Sequence, residues 1–245
     1  MNDSGQRHIP VCVLAGGLST RLRPITEKIP KPMVEVAGEP LLKRILDHLG
    51  AVGYRRFILA VSYRWEAIRD YFGDGGAFGW RIEYSVEPEP LGTGGAVLWA
   101  QPMWGERVLV LNGDTYLPAD WPAMVAAHAG ADLPATMALV RSEDTSRFGS
   151  VRVTDGRVTA FQEKIPQRGE PGAGWINGGA YVLERSALAG RRRGERFSLE
   201  RDIFPALAGR IGAFGCEGIP FADIGTLDSL ERFRQEAESG SGKGV

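Results

Sequence analysis

Thiol and imidazole chemistry is almost missing from this chain: 245 residues hold two cysteines and three histidines. Cys12 and Cys216 stand far apart, each in an apolar stretch. Neither a disulfide framework nor a Cys/His zinc spacing can be built from them. Both read as buried thiols of a reducing compartment, so a cytoplasmic location is expected. An excess of either charge is missing too, with 29 Lys and Arg against 30 Asp and Glu and a net charge of −1. Proteins built to hold nucleic acid or an anionic membrane surface carry a basic excess, so neither partner is expected. No apolar run is long enough to cross a bilayer. The opening MNDSGQRHIP lacks the basic-then-apolar pattern of a secretion signal.

What is present suits an ordinary globular protein, with 43% hydrophobic and 24% charged residues. HIPVCVLA reads as a strand buried on both faces. PLLKRILDHLGAVG follows with Leu41, Leu42, Ile45, Leu46 and Leu49 at helical spacing, and Gly50 and Gly53 read as stop signals. RRFILAVS, RIEYSVE and RVLVLNGD read as further strands, separated by helices in WEAIRDYFGDG and TGGAVLWAQPMW. This alternation predicts an α/β fold: a Rossmann-like, mostly parallel sheet flanked by helices. From about residue 135 the rhythm changes. PATMALVR and INGGAYVLE read as strands, and GSVRVTDGRVTAFQEK as a hairpin turning at Asp155-Gly156. FSLERDIFPALAG reads as one helix capped by Ser198, and TLDSLERFRQEAE as a closing helix capped by Thr226. RIGAFGCEG and PFADIG add short strands. The run Arg191–Arg193 reads as a solvated surface patch. Residues 1–245 are expected to form one domain, with a first half over about 8–134, a second with antiparallel additions over about 135–236, and a flexible tail at 237–245.

The loop after the first strand is the most informative stretch. Gly16 and Gly17 leave backbone N–H groups able to approach a ligand. Arg21, Arg23, Lys28 and Lys31 follow, opposed by Glu27 alone. Neither a P-loop nor the dinucleotide G-x-G-x-x-G pattern fits. A strand–loop–helix position favours phosphate binding all the same. Arg21 could fork onto phosphate oxygens, and Lys31, held between Pro30 and Pro32, could supply a fixed point charge. In an open α/β sheet, ligands bind beyond the carboxyl ends of the strands. This loop, Glu87 and Asp114 all fall at such ends.

The run A-G-G-x-S-T-R-L-x-P-x-T at 15–26, followed by P-K-P-M at 30–33, closely resembles the signature of the sugar-1-phosphate nucleotidylyltransferases. The likeness runs from about Pro10 to Phe233. It includes EPLGTGGA (89–96), LNGD (111–114), FGSV (148–151), FQEK (161–164), INGGAYVL (176–183) and ADIGT (222–226). The resemblance implies a dinucleotide-binding-like fold that joins an NTP to a sugar 1-phosphate. It implies nucleotide contacts from Leu14, Ala15, Gly16, Gly17, Ser19, Thr20, Arg21, Lys31, Glu87, Gly92, Thr93, Asn112 and Gly113. It implies that the second half binds the sugar phosphate, through Gly149, Glu163, Lys164, Asn177 and Gly178. It assigns Mg²⁺ to Asp114 and Asp223, and catalysis to Arg21, Lys31, Asp114 and Lys164. Plainer alternatives stand beside these assignments: Asp114 and Asp223 as helix-cap or turn aspartates, above all Asp223, which is followed by Gly225; Glu87 as an exposed strand end; Glu163-Lys164 as a solvated pair.

Relatives that transfer thymidylyl or uridylyl groups commonly carry Gln where Glu87 stands. A carboxylate only accepts hydrogen bonds, which suits the two adjacent donors of guanine and points to GTP. Gly92 would let the base stack close to backbone. Within the family the chain resembles most the short guanylyltransferases acting on D-glycero-α-D-manno-heptose 1-phosphate. That group serves S-layer, capsule or lipopolysaccharide glycans. Mannose 1-phosphate guanylyl transfer is the runner-up, and uridylyl transfer to another sugar 1-phosphate is third. From another class, a non-catalytic nucleotide-sugar sensor predicts a broken loop or a missing metal acid, and neither is seen. No residue pattern specifies an oligomer, and a homo-oligomer remains compatible.

Overall fold

The computed structural model describes residues 9–17, 22, 24–145, 150–162 and 172–240. Elements follow in chain order. The first part contains β1 (Val11–Leu14), α1 (Ile25–Lys28), β2 (Glu35–Val36), β3 (Glu39–Pro40), α2 (Leu41–Ala51), β4 (Arg56–Val61), α3 (Trp65–Phe72), β5 (Arg81–Val86), α4 (Gly92–Trp99), α5 (Gln101–Trp104), β6 (Arg107–Asn112), β7 (Thr115–Tyr116) and α6 (Trp121–Ala129). Then come β8 (Ala135–Ser142), β9 (Ser150–Thr154), β10 (Arg157–Gln162), β11 (Gly174–Glu184), β12 (Ile211–Gly215), β13 (Ala222–Asp223) and α7 (Leu227–Gly240). Among the described residues no helix is long and apolar enough to cross a membrane.

Nine strands form one mixed sheet in the order β5-β4-β1-β6-β11-β8-β12-β10-β9. The first four pair in parallel, and β11 then pairs antiparallel with both β6 and β8. Alternation along the strands builds a core on each face. Val11, Val13, Phe57, Leu59, Leu109 and Leu111 face α2, α3, α6 and α7. Cys12, Ile58, Ala60, Val108, Val110 and Tyr181 face α4, α5 and the segment around Phe204. The cysteines are free and buried, and burial pushes the Cys12 thiol up to about 12 and that of Cys216 up to about 11.

Several expectations need correction. Gly50 lies inside α2 and does not stop it; a Cβ there would come 2.9 Å from the indole nitrogen of Trp80. The stop falls after Val52, where Gly53 takes φ +102°. FSLERDIFPALAG is not one α-helix. It winds as a π-turn over Leu199–Ile203 and a 3₁₀ turn over Pro205–Leu207, because Pro205 has no N–H to continue the ladder. Ser198 does cap it, accepting from Arg201 N. Arg191 and Arg193 are not simply solvated, since their guanidinium groups lie over the rings of Phe197 and Trp99. Thr226 caps α7 as expected, its hydroxyl accepting from Ser229 N at 3.2 Å.

At the sheet end remote from β1's carboxyl terminus, buried His128 touches Thr136 Oγ1 at 2.8 Å and Glu184 Oε1 at 3.1 Å. Burial lowers its pKa despite the Glu184 contact, which works in the opposite direction. A folded-state pKa below the unfolded value means that the unfolded chain takes up the proton first as pH falls. Stability is therefore lost as pH drops below about 6.5. The urea midpoint is expected to fall between pH 7 and pH 5, and to fall less in His128→Gln. Equal slopes for the two proteins would reject this assignment.

Candidate active site

The connections place the site. From β1 the chain crosses to β4 and β5 on one side, then returns to β6 on the other. The sheet order reverses beside β1, which is where open α/β sheets bind ligands. A cavity of about 230 Å³ opens there. Leu14, Gly16, Gly17, Lys31, Glu87, Gly92, Thr93, Asn112 and Asp114 line it. Ala15 and Gly113 do not. Ala15 N extends the ladder to Ala60 O at 2.8 Å, and Gly113 N reaches Leu14 O at 3.0 Å, tying the ends of β1 and β6 together. Pro32, Ala60, Pro90 and Ala96 also line the cavity, unflagged by sequence. Ala60 sits at the carboxyl end of an apolar parallel strand, a position that could have flagged it.

Glu87 is 7% exposed, and its Oε2 accepts from Leu91 N at 2.9 Å. It is not an exposed strand end. Burial raises its pKa, and the Leu91 N–H opposes that rise. Its other oxygen faces Gly16, where a Cβ would lie 2.9 Å from Oε1 and 3.1 Å from Ser62 N. Gly16→Ala is therefore expected to weaken nucleotide binding about tenfold, as overpacking costs about 1–3 kcal/mol. Calorimetric titration checks this, and unchanged affinity would show that the loop yields freely.

Lys31 is nearly enclosed, with 8% of its side chain exposed, and its Nζ lies 2.6 Å from Asp114 Oδ2. The Pro30-Lys-Pro32 sequence winds into a short 3₁₀ turn over Lys31–Met33, and so aims the lysine across the sheet at β6. The β7–β13 ladder pairs Asp223 with Thr115, next to Asp114 in sequence, and Ile224 N donates to Asp114 O at 3.2 Å. The two acids called from sequence are thus brought to one place. Asp223 also accepts from Gly225 N at 2.5 Å, so it makes the turn foreseen as its alternative role as well.

Gly92, Thr93, Asn177 and Gly178 prove to have structural duties. Gly92 has φ +77°, and a Cβ on it would lie 2.6 Å from Phe197 O. Its bareness thus admits a neighbouring chain segment. That carbonyl accepts from Gly94 N and Gly95 N, which occupies the start of α4. The Thr93 hydroxyl donates to Glu200 and accepts from Leu199 N at 2.9 Å. Asn177 accepts from Gly179 N at 2.9 Å and donates to Tyr181 OH at 2.7 Å. Gly178 packs against Leu117 and Ala138 O. Ser19, Thr20, Arg21, Gly149, Glu163 and Lys164 lie outside the described residues.

Residues 11–240 match the nucleotidyl transferase family model. The chain belongs to the nucleotidyl transferase family. This nucleotidyltransferase is 39% identical over 81% of its length to a mannose-1-phosphate guanylyltransferase of Mycobacterium tuberculosis, of which it spans only 55%. It is 35% identical over 92% of its length to a D-glycero-alpha-D-manno-heptose 1-phosphate guanylyltransferase of Aneurinibacillus thermoaerophilus, of which the alignment covers 97%. The crystal structure of HddC from Yersinia pseudotuberculosis complexed with GMP-PN superposes with a TM-score of 0.80 at 33% identity. That superposition covers 93% of this chain and 99% of HddC.

In this nucleotidyltransferase the acid pair suits one kind of ion. Among the described residues no group of three or more His, Cys, Asp or Glu could hold a metal by itself. Two carboxylates fit a hard divalent cation that takes its other ligands from phosphate and water, as Mg²⁺ does.

Proposed function

We propose that this nucleotidyltransferase is a sugar-1-phosphate guanylyltransferase, making GDP-D-glycero-α-D-manno-heptose and pyrophosphate from GTP and D-glycero-α-D-manno-heptose 1-phosphate. The observation that carries the guanine part is Glu87. A buried carboxylate facing the cavity accepts hydrogen bonds and donates none. Guanine presents its ring N–H and exocyclic amine side by side. Two such donors would favour the ionised carboxylate and offset its burial. The neighbour solved with GMP-PN supports the same choice.

The reaction needs no covalent intermediate and no general base. An ionised oxygen of the sugar phosphate attacks the α-phosphorus in line, and pyrophosphate leaves. Gly16 and Gly17 let backbone approach the triphosphate, and Arg21 and Lys31 hold its charge. Lys31 exchanges the carboxylate of Asp114 for phosphate oxygens when nucleotide enters. Lys164 holds the incoming phosphate and Glu163 the sugar hydroxyls. Asp114 and Asp223 would hold Mg²⁺, which would supply neutralisation of the charge that develops on the transferring phosphoryl group. Catalysis then rests on positioning and charge stabilisation.

Mannose 1-phosphate is the second reading, favoured by the higher identity of 39%. The heptose relative aligns with more of this chain, 92% against 81%, and so supports heptose. A pyrophosphate-release matrix of four NTPs against heptose, mannose and glucose 1-phosphates decides. GTP with heptose 1-phosphate is expected to lead. Preference for mannose 1-phosphate selects the second reading, release with UTP alone rejects guanylyl transfer, and no release anywhere leaves the sensor. Glu87→Gln is expected to lower the GTP/UTP ratio by about tenfold or more, the worth of a hydrogen bond to a charged group. An unchanged ratio would remove Glu87 from base reading.

A further inference from the structure

Glu200 was not singled out by its sequence, and it stands outside the cavity lining. Its carboxylate nevertheless gathers three hydroxyl groups. Oε2 accepts from Thr93 Oγ1 at 2.6 Å and from Ser198 Oγ at 2.7 Å. Oε1 accepts from Tyr181 OH at 3.2 Å. The same tyrosine hydroxyl accepts from Asn177 Nδ2 at 2.7 Å. Asn177 in turn fixes the bulge of β11, where pairing with β8 shifts register between Asn177 and Tyr181. Within that bulge Gly179 passes so close to Asn112 that a Cβ would lie 2.9 Å from Nδ2. One carboxylate therefore ties the first turn of α4, which lines the nucleotide cavity, to β11 and through it to the end of β6. These walls come from both halves of the chain, and 107 residues separate Thr93 from Glu200.

We infer that Glu200 is a positioning residue that sets the nucleotide wall and the sugar-phosphate wall of the site at a fixed spacing. The inference rests on the proposed reading of the cavity, but not on which base or sugar it takes. Because a carboxylate can only accept, Thr93, Ser198 and Tyr181 must all point their protons at it. Their hydroxyl orientations are thereby fixed together. An in-line transfer between two bound substrates is sensitive to such spacing, since a displacement near 1 Å can cost about a hundredfold in rate. The acceptor-only character also explains why an amide would be a poor replacement. Gln would supply N–H where a hydroxyl proton already points, forcing one hydroxyl to turn round. Asp would be one carbon short of the same three partners.

The test is a double-mutant cycle across the relay, run with whichever NTP and sugar phosphate the wild-type enzyme turns over best. That choice keeps it independent of the guanine and heptose assignments. Thr93→Val and Tyr181→Phe remove hydroxyls at opposite ends, and each is expected to lower kcat/KM about tenfold. If Glu200 couples them, the double variant loses little more than either single one. Thr93→Ser, which keeps the hydroxyl, is expected to recover at least half of the wild-type value. Glu200→Gln is expected to lower kcat about tenfold or more, with a smaller change in either KM, while leaving the ratio of GTP to UTP turnover unchanged. Fully multiplicative losses in the cycle, or no recovery in Thr93→Ser, would overturn the inference. Should Glu200→Gln fail to fold, the cycle still decides, because neither of its variants removes the carboxylate. A changed GTP/UTP ratio in Glu200→Gln would place it in base reading and also reject the positioning role.

Discussion

Asp114→Asn is expected to abolish most of the turnover, by at least about a hundredfold, while the protein stays folded. The size follows from removing one of two carboxylates proposed to hold Mg²⁺, where charge stabilisation of a transferring phosphoryl group is worth several kcal/mol. A second effect is built into the same residue. Asp114 is the partner of Lys31, 2.6 Å away, and the lysine is the more enclosed of the two, at 8% against 39% exposure. Removing one partner of a fully buried pair costs about 3–5 kcal/mol. The exposure of Asp114 reduces that to about 1–2 kcal/mol. The variant should therefore melt slightly lower than wild type, and GTP should restore part of the loss by giving Lys31 phosphate oxygens instead. Mn²⁺ binding, read by electron paramagnetic resonance with nucleotide present, should fall with the turnover. Undiminished turnover with Mg²⁺ would sink the metal assignment. Lost turnover with unchanged Mn²⁺ binding would leave Asp114 acting through Lys31 alone.

The comparison of Lys31 and Thr93 shows what sequence reveals and what it hides. Pro-Lys-Pro fixes a lysine by covalent geometry, which can be read directly, and Lys31 does reach the end of β6. The parallel strands β1, β4 and β6 were legible for a similar reason: each is a short, mainly apolar run. Helix α6 was not read, although Asp120 caps it and Pro122 lies in its first turn. Its buried residues Trp121, Met124, Val125 and His128 have helical spacing. Five alanines and prolines around them erase the polar contrast on which that reading depends. The pairing of β7 with β13 joins residues more than 100 positions apart through two-residue strands, too short to carry any periodicity. The placement of Asp223 came through resemblance, and its neighbours came from tertiary structure. The fate of the Thr93 hydroxyl was hidden too. The resemblance made Thr93 a nucleotide contact, and only the returning segment at Phe197–Glu200 reveals the partners that occupy its hydroxyl.

That returning segment makes Gly92→Ala the second large effect. Gly92 takes φ +77°, which costs an alanine about 1–2 kcal/mol. The added Cβ would also lie 2.6 Å from Phe197 O, a backbone atom that cannot rotate aside. The strain is relieved only by moving the segment away from α4. Phe197 O would then lose its hold on Gly94 N and Gly95 N, and Leu199 N its contact with Thr93. A drop in melting temperature of about 5–10 °C is expected, since each kcal/mol shifts a chain of this size by about 2–4 °C. The loss in kcat/KM should be larger in proportion, at least about a hundredfold, because the displaced turn forms one wall of the site. Gly79→Ala separates the two causes. Gly79 has φ +72° with nothing within 4 Å of the added Cβ, so it carries the same backbone cost without the collision. It should lose only a few degrees and keep wild-type turnover. If Gly92→Ala and Gly79→Ala behave alike, backbone strain accounts for everything, and the packing of Phe197 against α4 has no part in shaping the cavity.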